Sequence, residues 1–355
     1  MSPAGRAAAV LAILSFAGSR SDAQGVYYPN TQAIDTVTDP RSLAMGESAV
    51  ADAGNAAAAF SSNPANLAFL SGTDLFCNYR SDWVDDDWEI EDLYSWSLGL
   101  ASASPLGRIA IAFHRKENGT GADFRDYSQT ISLAYAGSRG RIAVGGTLRL
   151  FNQFFFLDLP DYESESSYLP SFDLGALYHV RGSENGPNGG ISIGMALQNY
   201  SSDHVSTTTF DGRTSEARIS LPLYLRAGMR YAIDRPFTEI SGPFRFVATA
   251  EYRRFLNPPA GGGFEGDDIV RDADFGGIGL ELTLYRWLSL RTGWINEYQD
   301  RHRLLNRLGL GINLSPDGGR LPGQVGLDYA LIRVPEGLVV ESTTFVHSFG
   351  LRMSW

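Results

Sequence analysis

From about residue 74 onward the chain is written in segments of about ten residues in which apolar side chains alternate with small or polar ones. Ile278, Leu280, Leu282 and Leu284 fall on one side of such a segment, with Gly277, Gly279, Glu281, Thr283 and Tyr285 on the other. Leu288, Leu290, Thr292 and Trp294 oppose Ser289, Arg291 and Gly293, and Leu308, Leu310, Ile312 and Leu314 alternate with Gly309, Gly311 and Asn313. Two residues is the period of a β-strand, and a wholly apolar face needs lipid or a core against it. Fourteen segments follow the pattern, beginning near Leu75, Tyr94, Gly107, Tyr127, Arg141, Ser171, Gly189, Leu223, Phe244, Asp274, Trp287, Leu304, Gly323 and Thr344. An even count is expected of a single-chain bacterial membrane barrel.

The connections separate a soluble sandwich from a membrane barrel. Those at Ser102–Leu106, Ala136–Gly140, Arg181–Asn188, Asp234–Pro243, Tyr285–Arg286 and Ser315–Pro322 are mostly short. The intervening ones are mostly longer: Ser81–Leu93, Arg115–Asp126, Phe155–Pro170, Tyr200–Pro222 and Leu256–Ala273. Short periplasmic turns alternating with longer outer loops are a barrel signature; the shorter outer loops near Gln299 and Gly337 depart from it. Past the first residues no apolar run approaches the ~20 residues of a membrane helix. The mean hydropathy of −0.14 is no obstacle, because lipid-facing and lumen-facing residues cancel in the average. Aromatics gather near segment ends, among them Tyr94, Trp96, Tyr127, Phe154, Tyr285 and Trp287, as in interfacial girdles. Phe345, His347, Phe349, Leu351, Met353 and Trp355 share one face of the last segment. Phe349, Leu351, Met353 and Trp355 resemble the terminal signal read by the barrel-assembly machinery.

Three regions follow. Residues 1–23 look like an export signal, with Arg6, the short apolar run Ala7–Ala17, and small residues Ser21 and Ala23 before the expected cleavage point. Residues 74–355 form the barrel. Residues 24–73 break the strand pattern and are rich in Ala, Ser, Gly and Asn, a composition suited to close packing inside a barrel; a loose periplasmic tail is the alternative.

That middle segment resembles a known group. Arg41-Ser42-Leu43-Ala44-Met45-Gly46, then Ala49, Asp52, Ala57–Phe60, Asn63-Pro64-Ala65 and Leu67 look like the N-terminal motif of the PorV/PorQ family, within the wider FadL-like outer-membrane barrels. The sequence departs from the motif at Glu47 and Asn66, where Gly is usual. The resemblance implies an all-β transmembrane barrel of about fourteen strands, in the bacterial outer membrane, with an N-terminal hatch in its lumen. It implies a PorV-like role in docking or shuttling exported proteins for a type IX secretion-like system. Alternatively, it implies FadL-like transport of long-chain fatty acids or other hydrophobic molecules. In the motif, Gly46 suits a tight turn, and Asn63-Pro64 can end a helix and begin the turn towards the first strand.

The remaining features fit a barrel without catalysis. A net charge of −11 disfavours nucleic acid. The single Cys77 precludes an intramolecular disulfide and fits a strand facing lipid or lumen. The acidic stretch Asp82–Asp92 lacks the frame of a calcium loop and reads as a solvated outer loop. Trp83 and Trp88 within it, and the stretch Phe154-Phe155-Phe156, are candidate ligand or partner contacts; the phenylalanines equally suit an extended lipid-facing strand. Arg226, Arg230, Glu251, Glu281, Arg291 and Asp328, with Asp173 and Arg253, fall on the lumen side, where charges pair with one another and with a plug. Arg226 or Arg230 also suits a ligand carboxylate. No nucleophile elbow or zinc spacing is present, and the loop pair His204/Ser206 is a weak dyad, so we expect no enzyme, cofactor or metal. Expected partners are outer-membrane lipid, the assembly machinery, and exported cargo or a hydrophobic ligand.

Overall fold

The computed structural model describes residues 39–81, 91–120, 124–157, 162–165, 168–183, 186–201, 204–210, 213–219, 221–235, 244–256, 275–297, 303–314, 323–334 and 344–355. The expected export signal, Trp83 and Trp88 lie outside them, as do the side chains of Phe155 and Phe156.

Seventeen strands follow one another along the described chain: β1 (Thr73–Ser81), β2 (Glu91–Ser104), β3 (Gly107–Thr120), β4 (Phe124–Arg139), β5 (Ile142–Leu157), β6 (Tyr162–Glu165), β7 (Leu169–Ser183), β8 (Gly186–Ser201), β9 (His204–Phe210), β10 (Arg213–Ile219), β11 (Tyr224–Arg235), β12 (Phe244–Phe255), β13 (Phe275–Leu284), β14 (Leu288–Glu297), β15 (Arg303–Leu314), β16 (Gln324–Val334) and β17 (Thr344–Ser354). All but β6, β9 and β10 close into one antiparallel barrel of fourteen strands. Each starts within three residues of a position read from the alternation. The barrel is sealed where β1 meets β17, with Cys77 opposite Leu351 and Tyr79 opposite Phe349. Closure leaves no sheet edge, so every wall strand has a partner on both sides, as hydrocarbon demands.

The two faces of the wall follow the period-two pattern. Ile111, Leu133, Val144, Ile278 and Leu308 are more than half exposed, whereas their chain neighbours Ala110, Ala112, Ala134 and Ala143 are buried. Most of the exposed apolar set is the lipid face, and Phe345, Phe349 and Met353 belong to it. Cys77 is exposed as well and shares that face. Stacked or tilted ring pairs such as Tyr79–Tyr94, Trp96–Phe113 and Tyr127–Phe154 lie towards the strand ends remote from the short turns.

Three sequence readings need correction. The connections at 155–170 and 200–222 contain a small sheet of order β10-β9-β6, with Tyr162 and Arg213 both opposite Phe210. Pairing satisfies backbone groups that an irregular loop would leave to water. His204 and Ser206 therefore lie in β9 and not in a loop. The Phe154–Phe156 stretch is not a loop either, because β5 runs on to Leu157 and pairs Phe154 with Tyr127.

The short turns, the start of β1 and the end of β17 share one rim, where Thr73 and Trp355 exchange backbone hydrogen bonds of 2.8 and 3.0 Å. The β13–β14 turn is unusual. Tyr285 and Arg286 have φ of 52° and 65°, the backbone of a primed hairpin turn that Asn-Gly fits best. A Cβ in that region costs roughly 1–2 kcal/mol, partly offset by the greater unfolded-state freedom of glycine. Arg286→Gly is therefore expected to stabilise the barrel by up to about 1 kcal/mol in urea refolding titrations; an unchanged or lower midpoint would show that the turn is not strained.

Candidate functional site: the inner segment and its two walls

Residues 39–72 cross the lumen as short, well-capped pieces. Helix α1 (Pro40–Ala44) starts at Asp39, whose carboxylate accepts from the Ser42 N–H at 3.2 Å and from the Ser42 hydroxyl at 2.5 Å. Helix α2 (Ala56–Ser61) starts at Asn55, whose side chain accepts from the Ala58 N–H. A 3₁₀ turn (Pro64–Phe69) starts at Asn63, which accepts from the Ala65 N–H at 3.0 Å. Asp or Asn at the cap followed by Pro in the first turn recurs in α1 and the 3₁₀ turn. The Asn63-Pro64 pair thus follows the end of α2 and begins the 3₁₀ turn that leads towards β1. Asn63 also donates to the carbonyls of Val50 (2.7 Å) and Ala176 (3.1 Å), tying two turns of the segment to β7.

The segment lies directly on glycines of the wall. Gly46 turns the chain with φ of 65°, and a Cβ there would meet the Ile278 carbonyl at 2.6 Å. A Cβ at Gly277, Gly279 or Gly293 would overlap backbone of Met45 or Gly46, and one at Gly175 would overlap Asn63. Small residues on both partners allow this backbone-to-wall approach.

One wall holds the segment by charge. Arg41 pairs with Asp52 and, through Nε at 2.9 Å, with Glu281; Arg291 joins Glu281 (2.6 Å) to Asp328 (2.5 Å). Arg230 lies 3.4 Å from Asp52. Arg226 donates to Glu251 (2.5 Å), Gln198 (3.1 Å) and the carbonyls of Ser61 (2.6 Å) and Glu47 (3.2 Å). The Glu251 carboxylate in turn accepts from the Ala49 and Val50 N–H groups, both at 2.8 Å. Of the six lumen charges named from the alternation, Arg226, Arg230, Glu251 and Glu281 thus reach residues 41–61, and Arg291 and Asp328 join them through Glu281. Arg226 and Arg230, at 1% and 0% exposure, are engaged with the segment and its carboxylates, so a ligand carboxylate has no access to them.

Both departures from the family motif contribute. Glu47 adopts φ of 56°, the conformation glycine favours, and its carboxylate meets Arg307 at 2.8 Å. Asn66 donates to the Ala49 carbonyl at 2.9 Å. Arg307 and Arg149 were not singled out in the sequence, and Glu47 only as a departure from the motif. The inward parity of Arg307 with Gly309, and of Arg149 between Leu148 and Leu150, was the available signal.

The other wall holds the segment by packing. Ala53, Ala56, Ala59, Ala65, Leu67, Ala68 and Leu70 pack with Phe76, Ala101, Ala110, Ala112, Ala134, Ala136, Ala143 and Leu177 of β1–β5 and β7. Phe60 lies 6.1 Å from Phe76, and Phe69 stands edge-on to His179 at 4.3 Å. Polar contacts on this wall include Arg149, which pairs with Asp173 and donates to the Phe60 carbonyl, and Arg108, which donates to the Leu70 carbonyl at 3.1 Å.

Burial pushes the Asp52 and Glu47 carboxyls up, but the arginines beside them, Arg41 and Arg230 for Asp52 and Arg307 first for Glu47, hold both below the ordinary value. For Asp39 burial wins and the pKa is raised. Stabilisation from Asp52 and Glu47 is present above their unfolded pKa values and is lost as pH falls through the folded ones; Asp39 opposes this, its contribution being lost as pH rises through its folded value. Acidification below the ordinary carboxylate range is expected to lower the protection of the Ala49 and Val50 amides relative to their intrinsic exchange rates, and Asp52→Asn to flatten that acid limb. Protection indifferent to acid would argue against the ion pairs.

Below the segment, at the rim of short turns, lies a cavity of about 1490 Å³, roofed by Arg41, Asp52 and Phe69 and ringed by Arg245, Trp287 and Trp355.

No family model and no curated protein matches the sequence. Solved structures do. The toluene transporter TodX of Pseudomonas putida is 12% identical over 88% of this chain and 96% of its own, with a TM-score of 0.53. TbuX of Ralstonia pickettii, also a toluene transporter, is 13% identical over 89% and 98%, with a TM-score of 0.51. The monoaromatic hydrocarbon channel CymD is 13% identical over 89% and 97%, with a TM-score of 0.53. At such identities the likeness is one of fold. The chain shares with them the fold of a closed, fourteen-stranded antiparallel barrel.

Proposed function

We propose that this barrel passes hydrophobic compounds across the outer membrane, with residues 39–72 as its hatch. The observation that carries the reading is the asymmetry of the two walls. Leaving the charged wall would strand buried ions, at several kcal/mol each. Parting from the alanine and phenylalanine wall breaks a few hydrogen bonds to segment or wall carbonyls, such as that of Arg149 to Phe60, but exposes mainly apolar surface, and a greasy solute entering the gap would cover it again. The apolar seam is therefore the route, and the charged wall is the hinge side. The likeness in fold to TodX and TbuX, both toluene transporters, supports the same reading.

The test is uptake of radiolabelled toluene by cells lacking their own transporters. Expression of the chain is expected to raise the initial rate, and Ala134→Glu, which puts a charge in the seam, to abolish the gain. Uptake no faster than in empty cells would sink the proposal. A second reading, docking of exported proteins, is favoured by the Arg41–Leu67 motif alone; co-purification of a stoichiometric exported protein from the native membrane would support it. We also assign Phe349, Leu351, Met353 and Trp355 the role of assembly signal, on their place in the closing strand.

A further inference from the structure

The cavity at the short-turn rim differs in charge from the chain around it. The protein carries a net charge of −11, yet among the described residues five arginines line this cavity against four carboxylates. Each carboxylate is already held by an arginine: Asp52 by Arg41, Glu281 by Arg41 and Arg291, Asp328 by Arg291, and Asp74 by Arg352 at 3.4 Å. These carboxylates are thus taken, and Arg286 has no carboxylate side chain paired to it among the described residues. Rings stand among these charges, with Phe244, Tyr285, Trp287 and Trp355 all on the lining. At the mouth, the turn that presents Tyr285 and Arg286 holds both in the left-handed region, where Asn-Gly would sit with less strain. Strain retained at a cavity mouth marks side chains with a task beyond turning the chain.

We propose that this cavity is a holding site for an organic anion with an aromatic body, an aryl carboxylate, on the periplasmic side of the barrel. Arg286 takes the carboxylate, and the rings of Tyr285 and Trp287 take the aromatic body. Arginine offers paired donors to a carboxylate, and aromatic faces accept flat apolar groups. The inference rests on the transport reading and deepens it: an amphipathic solute leaving the apolar seam finds its charged end matched below the segment, whereas a neutral hydrocarbon finds no such match.

The test is equilibrium dialysis of the full barrel in lipid nanodiscs at neutral pH, with 4-tert-butylbenzoate and its neutral counterpart 4-tert-butyltoluene as probes. The carboxylate is expected to bind about ten-fold more tightly than the neutral probe, the worth of a hydrogen bond to a charged group. Arg286→Gly is expected to lose most of that preference while folding at least as stably as the parent, and Arg286→Lys to keep part of it. Equal affinity for the two probes overturns the proposal, as does a preference that survives Arg286→Gly. The two readings fail separately. Toluene uptake without carboxylate preference removes the holding site alone, and carboxylate preference without uptake removes the transport route alone.

Discussion

Glu251→Ala is expected to release the inner segment from the wall that anchors it. The Glu251 carboxylate is 5% exposed as a residue and holds three groups: the Arg226 guanidinium and the N–H groups of Ala49 and Val50. Its removal leaves Arg226 buried without its carboxylate and two backbone donors without acceptors. Removing one partner of a buried pair costs about 3–5 kcal/mol, and each unsatisfied donor adds about 1–3 kcal/mol unless the segment moves to find water. Movement is the lower-energy response, because the segment has little structure of its own to lose. We expect the variant to assemble as a barrel, to conduct ions in planar bilayers where the parent is quiet, and to expose the Arg41–Ser42 bond to trypsin. Glu251→Gln keeps one acceptor and the shape, and should fall between the two. A Glu251→Ala barrel as closed and as trypsin-resistant as the parent would show that the charged wall does not anchor the segment.

The second large effect is steric. Gly279 lies in the middle of β13 facing inward, where a Cβ would overlap the Met45 carbonyl and come within 2.8 Å of its Cα. Gly276, in the same strand but facing outward, has nothing within 4 Å of a Cβ. Valine is a better strand former than glycine at either place. Gly279→Val should therefore spare the wall and dislodge the segment, since overpacking against backbone has no side chain to rotate away and costs about 1–3 kcal/mol or more. Gly276→Val should be neutral or slightly stabilising. The pair is read by heat-modifiable gel mobility for the barrel and by hydrogen exchange at residues 41–52 for the segment. Equal protection in both variants would mean that the segment adapts to the wall and does not depend on the glycine saddle.

The local physics of hydrocarbon made most of this architecture legible without coordinates. A wall one strand thick, with lipid outside and water or plug inside, forces a strict alternation onto the chain. The alternation therefore gave the strand starts, the outward face of Phe349 and Met353, and the inward face of Arg226, Glu251, Glu281 and Arg291. Caps were legible for the same reason: Asn63 before Pro64 and Asp39 before Pro40 act on their nearest neighbours.

What the alternation could not carry was the partner of each inward charge. Arg41 and Glu281 are 240 residues apart, and nothing local joins them. Only closure of the barrel, with β1 beside β17, brings α1 against β14–β17 and the 3₁₀ turn against β3, β4, β5 and β7. The same closure engaged Arg226 and Arg230 with the segment and turned a candidate carboxylate site into an anchor. It also gathered the arginines and rings at the short-turn rim into one cavity, from strands whose sequences carry no common motif. Facing was thus fixed by the sequence, because it depends on each residue's own transfer between lipid and interior. Pairing was decided by the tertiary structure, because an ion pair depends on distance between charges that the chain alone leaves far apart.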